Sequence, residues 1–394
     1  MLDTALSAEY SNCPENQSII DELSRAIAAG GKKQCNRILE RITDLFAAGS
    51  RGYSFDQIAL FDDVLQALAA EIEVKARARL AHRLAHINGS PPKLIRALAF
   101  DDEIAVAEPV LIHSQQLTDA DLVENAATKS QKHLLAIAQR LTLSESVTDV
   151  LVKRGDRRVL QKAVTNKGAR FSLAGYGKLT VRARHDRKLT LALGHRGDLP
   201  RQYFLKLLET ASTSVRTMLV AANPQAAGAI RETIDDVATT MQQEARKASK
   251  HYAVAKRDAK RRLNVGPFTE ANIHAPARSQ DFERTVIALA KLGCIPIDLV
   301  ERALVDKGED LILVVAKAAG CSWTTVQELL QMYVAERDIP PGNLARALER
   351  YKKLSQDTAR NIINFYVRRI ELRTEQNSAM HQKTRRSQPR LYAL

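Results

Sequence analysis

The sequence predicts an almost wholly α-helical protein, and three observations support this fold class. Glycine and proline number only 17 and 12 in 394 residues, which argues against a turn-rich β architecture. Alanine and leucine, both strong helix formers, dominate the apolar residues. Apolar residues recur at helical spacing behind residues that can cap a helix. We therefore expect a HEAT-like array of short helical repeats, then a long helix and a second small helical region.

Residues 1–53 are predicted to form N-terminal helices. Apolar residues at helical spacing run up to Gly30–Gly31, which can end the first helix. Ser54 and Gln57 have the spacing of a capping box, in which each side chain binds the other residue's backbone N–H. The repeat array is therefore expected to begin with a helix that follows Ser54.

A repeat is visible within residues 54–223. Four residues that can cap a helix stand at intervals of 28, 26 and 30 residues, each before an apolar helical segment: Asp102, Ser130, Asp156 and Asp186. Three further residues are predicted to open the second helix of each pair: Thr118, Ser146 and Ser172. The interval is shorter than the ~40–47 residues of HEAT and armadillo units. Such short helix pairs cannot bury their apolar faces alone, so they must stack.

The remainder of the chain divides into four predicted segments. A long helix is expected over 224–263, where apolar residues recur every three or four positions. Residues 264–280 have no periodicity and indicate a linker. Residues 281–373 indicate a C-terminal helical region. Residues 374–394 are polar and basic, and we predict a disordered tail.

The net charge of +14 is unevenly distributed. Residues 1–75 hold 7 basic and 12 acidic side chains, a net charge of −5. Residues 153–201 hold 14 basic and 3 acidic side chains, a net charge of +11. This asymmetry favours a polyanionic partner, whether nucleic acid, an anionic membrane surface or an acidic protein.

Basic residues follow the predicted caps of three repeat helices, and they form a candidate anion-binding or partner-binding ridge: Lys132, Arg157, Arg158, Arg187 and Lys188. Cations in a first helical turn oppose the helix dipole, at a cost of ~0.3–1 kcal/mol each. Because stacked helices lie ~8–10 Å apart, equivalent positions would present cations beside exposed backbone N–H groups. The alternative is an ordinary solvated face whose aspartate caps offset the charge.

Five polar residues lie inside or beside the repeat helices: His133, Arg140, Asp149, Arg154 and Asn166. They could line a groove as functional groups. We favour the structural interpretation, in which they form hydrogen bonds between repeats and cap helix ends, because buried polar groups are usually paired.

No catalytic residue, cofactor-binding loop or metal-ligand set is predicted, so an enzyme is not the favoured interpretation. His82 and His86 lie four residues apart, a spacing that can hold zinc, but no third ligand is evident. The only tryptophan, Trp323, follows a predicted cap at Ser322. Core packing is the preferred interpretation of Trp323, and a partner-binding anchor is the alternative.

Cysteine usage and hydropathy indicate a cytoplasmic protein. Cys13, Cys35, Cys294 and Cys321 form no CxxC pair and are interpreted as reduced thiols. The N-terminus lacks the pattern of a signal peptide, and no apolar run approaches the ~20 residues of a membrane span.

Several segments, in order, resemble an uncharacterised family of mostly alphaproteobacterial proteins, domain-of-unknown-function family 2336. They are VAEPVLIHS at 106–114, HLLAIAQR at 133–140, VTDVLVKRGDRRV at 147–159, NKGARFS at 166–172 and AKAAGCSW at 316–323. The resemblance implies a HEAT-like helical repeat. It implies no activity and no catalytic residue.

The leading functional hypothesis is a non-enzymatic helical-repeat scaffold that binds a macromolecule, with a protein as the preferred partner. The second hypothesis is a nucleic-acid-binding protein that uses residues 153–201. The third is an enzyme on a HEAT-like frame, such as a DNA-repair glycosylase. Such an enzyme would need a carboxylate beside aromatic residues, and residues 153–201 contain neither tryptophan nor glutamate.

Overall fold

The computed structural model describes residues 36–49, 53–306, 308–332 and 341–368. Their secondary structure is helical, and the one β-type pairing among them is an isolated parallel bridge between Leu143 and Ala169. The predicted all-α fold class is therefore confirmed. The predicted helix before Gly30 and the predicted tail lie outside the described residues.

The chain forms two compact units, Met1–Asp198 (unit 1) and Leu199–Leu394 (unit 2). The helices described in unit 1 are α1 (36–49), α2 (Phe55–Glu71), α3 (Val74–Leu84), α4 (Pro92–Ala99), α5 (Ile104–His113), α6 (Asp119–Thr128), α7 (Gln131–Ile137), α8 (Glu145–Arg154), α9 (Arg157–Thr165), α10 (Leu173–Ala183) and α11 (Arg187–Gly194).

Alternate helices of unit 1 contact one another in two rows. Helices α3, α5, α7, α9 and α11 contact in sequence and form one row. In the other row α2 contacts α4, α6 contacts α8, and α8 contacts α10. Arg96 of α4 joins α6 to that row, because its Nε lies 2.7 Å from Oδ1 of Asp121. Odd-numbered helices therefore lie beside odd-numbered helices, and even-numbered helices lie beside even-numbered ones.

The same burial pattern recurs along both rows. Two adjacent residues are buried, and two more follow one turn later, in α4, α5, α8 and α9. In α9 these residues are Val159, Leu160, Ala163 and Val164. A stripe this wide lets each short helix pack against the other row and against its own neighbours.

Most of the predicted caps begin the predicted helices. Ser54 with Gln57 and Thr118 with Asp121 form complete capping boxes. Asp156, Ser172 and Asp186 accept hydrogen bonds from the first turns of α9, α10 and α11.

Two predicted caps are displaced. Glu103 is the N-cap of α5 instead of Asp102, and Ser144 is the N-cap of α8 instead of Ser146. In each case a second polar residue stands one or two positions earlier or later, so the local pattern alone does not choose between them.

Unit 2 has its own core. Its described helices are α12 (Arg201–Ala222), α13 (Ala227–Ala248), α14 (Lys250–Leu263), α15 (Ala271–Arg278), α16 (Phe282–Gly293), α17 (Ile297–Val305), α18 (Asp310–Ala318), α19 (Trp323–Gln331), α20 (Pro341–Lys353) and α21 (356–368). The core joins α15 to α21 with Leu205 of α12.

The structure differs from the sequence prediction at three places in this half of the chain. The repeat array was expected to reach residue 223, but the division into units falls after Asp198. The long helix predicted over 224–263 is two helices, and Ser249 is the N-cap of the second. The linker predicted over 264–280 contains α15, whose Ile273 and Ala277 are fully buried in the core.

Candidate interaction surface

The N-termini of α5, α7, α9 and α11 lie side by side. Nε2 of His133 in α7 lies 2.9 Å from the carbonyl oxygen of Asp101, just before α5. The backbone N–H of Asp156, the N-cap of α9, donates to Oε1 of Gln131 in α7 at 2.8 Å. Arg157 of α9 reaches Asp186, the N-cap of α11. First turns that are far apart in sequence therefore share one edge of unit 1.

The first residue after each of two N-caps ties neighbouring helices together. Gln131 holds this position in α7 and Arg157 holds it in α9. The guanidinium of Arg157 binds both carboxylate oxygens of Asp186, with Nε to Oδ2 at 2.6 Å and Nη2 to Oδ1 at 2.9 Å. The Arg157 hydrogen bond is the main cause that lowers the pKa of Asp186 to about 2. Arg157 is therefore engaged within unit 1, as the alternative to the ridge requires.

The second residue after each N-cap is a free cation. Lys132, Arg158 and Lys188 occupy this equivalent position in α7, α9 and α11, and all three are exposed. Arg187, at the first position of α11, is exposed as well. Within the described residues none of these four side chains forms an ion pair. We call Lys132, Arg158, Arg187 and Lys188 the basic edge.

The backbone N–H groups along this edge are partly occupied. Oδ1 of Asp156 accepts from the N–H of Val159 at 2.9 Å. Oδ1 of Asp186 accepts from Lys188 and Leu189 at 3.0 and 3.2 Å. The side-chain cations of the edge are therefore better placed than the helix ends to hold a partner.

Several arginines within the basic segment 153–201 form hydrogen bonds that stabilise unit 1. Nη1 and Nη2 of Arg182 donate to the carbonyl oxygens of Gly155 and Lys153, at 2.8 and 3.1 Å. Arg154, 28 residues earlier, donates to Ala126 and Lys129 in the same way. The last carbonyls of a helix have no partner within it, so each arginine completes the end of the neighbouring helix. Both guanidiniums are therefore engaged in hydrogen bonds to carbonyl oxygens within unit 1, although both residues are exposed.

The other polar residues that the repeat pattern singled out also bind inside unit 1. Arg140 donates to the carbonyls of Leu111 and Ser114 at 2.7 and 2.8 Å. Asn166 donates to Ala138 and Arg140. Asp149 accepts from Ser172 at 2.7 Å. The structural interpretation of these residues is confirmed.

Unit 2 contains a buried cluster of charges that sequence reasoning missed. Arg201, 5% exposed, donates to both oxygens of Glu283 at 2.8 and 2.5 Å and to Glu301 at 2.7 Å. Glu301 is fully buried and also accepts from Gln242 and Arg246. No local pattern indicates this cluster, because Glu283 and Glu301 lie 82 and 100 residues from Arg201.

Burial and hydrogen bonding have opposite effects on Arg201. Burial lowers the pKa of its guanidinium, but the hydrogen bonds to Glu283 and the charge of Glu301 outweigh it, so the pKa is raised. Arg201 therefore stays charged at any pH at which the protein folds.

Beside the cluster, α12 and α13 border a groove of about 430 Å³, lined by residues that include Ser212, Arg216 and Asp235.

A third histidine joins the pair noted in the sequence. The ring of His86 lies 6.0 Å from that of His82 and 4.3 Å from that of His113, between ring centroids. Burial, with the neighbouring histidines, lowers the pKa of His113. Within the described residues, however, no group of three or more histidine, cysteine or acidic side chains is arranged to hold a metal ion.

Trp323 packs against the core of unit 2, and its ring centroid lies 5.8 Å from that of Tyr351. The core-packing interpretation is confirmed. Over the described ranges, no helix combines the length and the apolarity that crossing a membrane requires.

The fold and the surface define an all-α protein of two helical units, one of which presents a row of exposed cations. The chain belongs to the DUF2336 family, described as an uncharacterised protein conserved in bacteria, whose model matches residues 106–364. Neither a curated protein nor a solved structure matches the chain.

Proposed function

We propose that the protein is a non-enzymatic scaffold, built on a HEAT-like helical array, that binds an acidic protein partner along the basic edge of unit 1. The supporting observation is that Lys132, Arg158 and Lys188 repeat at one position of three adjacent helices and have no carboxylate partner within the described residues. Each of these cations lies in the first turn of its helix and opposes the dipole of that helix. A partner with carboxylates in matching positions would offset that cost. We further propose a cytoplasmic location, in keeping with the free thiols of Cys294 and Cys321.

The spacing of the edge suits a protein helix. Neighbouring stacked helices lie ~8–10 Å apart, so the three equivalent cations repeat at about that distance. Carboxylates two turns apart on a partner helix repeat every ~11 Å. An acidic helix laid across the N-termini of α7, α9 and α11 would therefore meet one cation at each step.

The aromatic residues of the basic block do not favour nucleic acid. Single-stranded nucleic acid is usually held by aromatic rings on which bases stack. The aromatic residues within 153–201 are Phe171 and Tyr176, and both are buried. The block therefore offers charge without a stacking surface.

The test compares two quadruple variants of equal charge. One replaces Lys132, Arg158, Arg187 and Lys188 with alanine. The matched control replaces Lys162, Lys167, Arg170 and Lys178, which are exposed, belong to the same unit and form no ion pair within the described residues. Partners are isolated by affinity purification at low and high salt, and each is then purified for measurement of its dissociation constant.

We expect the edge variant to bind the partner between about 4-fold and about 900-fold more weakly, because exposed ion pairs contribute ~0.2–1 kcal/mol each and four are removed. The control variant should bind like the wild type. Equal loss in both variants would contradict a role specific to the edge.

The alternative function is nucleic-acid binding, which the net charge of +11 over residues 153–201 favours. Phosphate contacts depend on cations over the whole surface, so both quadruple variants should then weaken DNA or RNA binding and flatten its salt dependence. Binding of the wild type to either nucleic acid at ~0.15 M salt is the measurement that would select this alternative.

A further inference from the structure

Three histidine side chains come together where α3 and α5 end. His82 lies in the last turn of α3, His86 follows the end of that helix, and His113 is the last residue of α5. Ala85, just before His86, keeps the right-handed helical conformation. Residues four positions apart lie on the same side of a helix, so His82 and His86 face the same way. The third ring comes from the neighbouring helix of the same row.

The spacing of the rings is close to that around a tetrahedral metal ion. The ring centroid of His86 lies 6.0 Å from that of His82 and 4.3 Å from that of His113. Tetrahedral zinc binds imidazole nitrogen at ~2.0–2.1 Å, which places the centroids of its ligand rings ~5 Å apart. The two observed distances lie on either side of that value. A change of about 1 Å in each would therefore give both pairs of rings the spacing of a zinc site.

Two of the rings border the same open space. His82 and His113 line a concavity of about 530 Å³ on the surface of unit 1, together with Glu108 of α5. A metal ion can enter this concavity from solvent. Zinc accepts three histidines with water in the fourth position, so the three rings suffice as protein ligands.

The three side chains are free to rotate into a ligand set. All three are exposed, and exposed side chains change rotamer within picoseconds to nanoseconds. Among the described residues, none forms a hydrogen bond with these rings. As the rings are now oriented, they do not form a ligand set for a metal ion. His133 differs, because it is buried and its two ring nitrogens contact Ser130 and Asp101.

We propose that His82, His86 and His113 rotate to bind one zinc ion, with water in the remaining position. Imidazole is a ligand that suits zinc, whereas magnesium and calcium prefer oxygen ligands. The ion would join α3 to α5 at the ends of the two helices. The site is separate from the basic edge, which lies at helix N-termini.

The charges around the rings limit the expected affinity. Burial, the other two histidines and the charge of Arg140 all lower the pKa of His113, so Arg140 lies near enough to oppose a cation. Arg79 and Arg83 of α3 are each paired with an acidic side chain of α1. The rings must also rotate on binding. We therefore expect a dissociation constant of ~1–100 µM, weaker than that of closed structural zinc sites.

The test measures Zn²⁺ binding to the full-length chain by isothermal titration calorimetry at pH ~7.5, where an ordinary imidazole is neutral. The wild type should bind one ion per chain. The triple variant His82→Ala/His86→Ala/His113→Ala should bind at least ~30-fold more weakly, and His86→Ala alone about tenfold more weakly. The replaced side chains are exposed, so the helical circular dichroism of both variants should match that of the wild type.

The matched control is His185→Ala/His195→Ala/His251→Ala, which removes three exposed histidines from other parts of the chain. It should bind Zn²⁺ like the wild type, as should the edge variant described above, so this inference and the proposed function fail separately. A wild-type dissociation constant above ~1 mM would overturn the proposal. Wild-type affinity in the first triple variant would overturn it too, because the metal would then be bound elsewhere, for example at the thiol of Cys294. An equal loss in the control would have the same consequence.

Discussion

The two residues that follow an N-cap in unit 1 have different neighbours, although both are basic in α9 and α11. The first, Arg157, faces the N-cap of the next helix and binds Asp186. The second, Arg158, is exposed and unpaired among the described residues. The sequence shows the Asp-Arg-Arg and Asp-Arg-Lys triplets, but the carboxylate that engages Arg157 lies 29 residues away. A local pattern therefore predicts the candidate ridge, but it does not separate Arg157, which binds within unit 1, from the four residues of the basic edge.

Asp186 links two neighbouring helices, so its removal should destabilise unit 1. Its carboxylate caps α11 and binds Arg157 and Gln161. We expect Asp186→Ala to lower the free energy of unfolding by ~1–3 kcal/mol, since a lost cap alone costs ~0.5–2 kcal/mol. Arg158→Ala should change it by less than ~0.5 kcal/mol, as for other surface sites. Urea titration followed by circular dichroism measures both, and equal effects would contradict the distinction.

The contribution of Asp186 should depend on pH with a defined sign. Arg157 lowers the pKa of Asp186 from its ordinary value of 3.8 to about 2 in the folded protein. Between these values the unfolded chain binds more protons, so stability rises with pH in this window. The stabilisation is complete above pH ~4 and is lost as pH falls towards ~2. The difference in unfolding free energy between the wild type and Asp186→Asn should therefore shrink over that window. A difference that does not change with pH would contradict this account.

At the scale of elements, helices were predictable where an apolar period coincided with a cap. Ser54, Thr118, Asp156, Ser172 and Asp186 all begin helices as the sequence indicated. A cap and its hydrogen-bond partners lie within one helical turn, so the local sequence contains every residue that forms them.

Helix α15 was missed because tertiary contacts stabilise it. It has eight residues, contains Pro276 and has no side-chain cap. Burial of Ile273 and Ala277 in the unit 2 core holds it in place. Just before it, Glu270 accepts from the backbone N–H of Ser322 at 2.6 Å. Partners some fifty residues away leave no local period, and the segment therefore looked like a linker.

The buried charge cluster should dominate the stability of the helices around it. Glu301 holds Arg201 and Arg246 with no exposure to solvent. Replacing Glu301 by Gln leaves both guanidiniums buried with less compensation, so we expect a loss of ~3–5 kcal/mol. Asp310→Asn is the matched control, because Asp310 pairs with Arg350 at 81% and 59% exposure. That change should cost at most ~1 kcal/mol. Denaturant titration of unit 2 distinguishes the two, and similar losses would argue against a special role for burial.

At the scale of the whole molecule, the division of the chain lies earlier than the sequence suggested. The start of α12 falls within the residues 54–223 that were predicted for the repeat array, although its N-cap, Pro200, forms no side-chain cap hydrogen bond. The side chains of α12 nevertheless assign it to unit 2, because Leu205 packs in the core of unit 2 and Arg201 binds Glu283 and Glu301. Such long-range partners cannot be identified from one sequence.

Fragments of the chain can test this division directly. We expect residues 1–198 and residues 199–394 each to fold when produced separately, because each holds its own core. A fragment of residues 281–394, cut at the linker that the sequence indicated, should fail to fold cooperatively. It lacks the buried Ile273 and Ala277, and without Arg201 and Arg246 it leaves Glu283 and Glu301 unpaired.

The expected loss of stability in the 281–394 fragment is comparable to the total stability of a domain. Breaking a buried ion pair costs ~3–5 kcal/mol, and burying fewer apolar side chains adds to the loss. A domain of this size has only ~5–15 kcal/mol of stability in total. Far-UV circular dichroism and urea unfolding of the three fragments provide the measurement. Native-like helicity with a sharp transition in the 281–394 fragment, combined with a failure of 199–394, would place the boundary at the predicted linker instead.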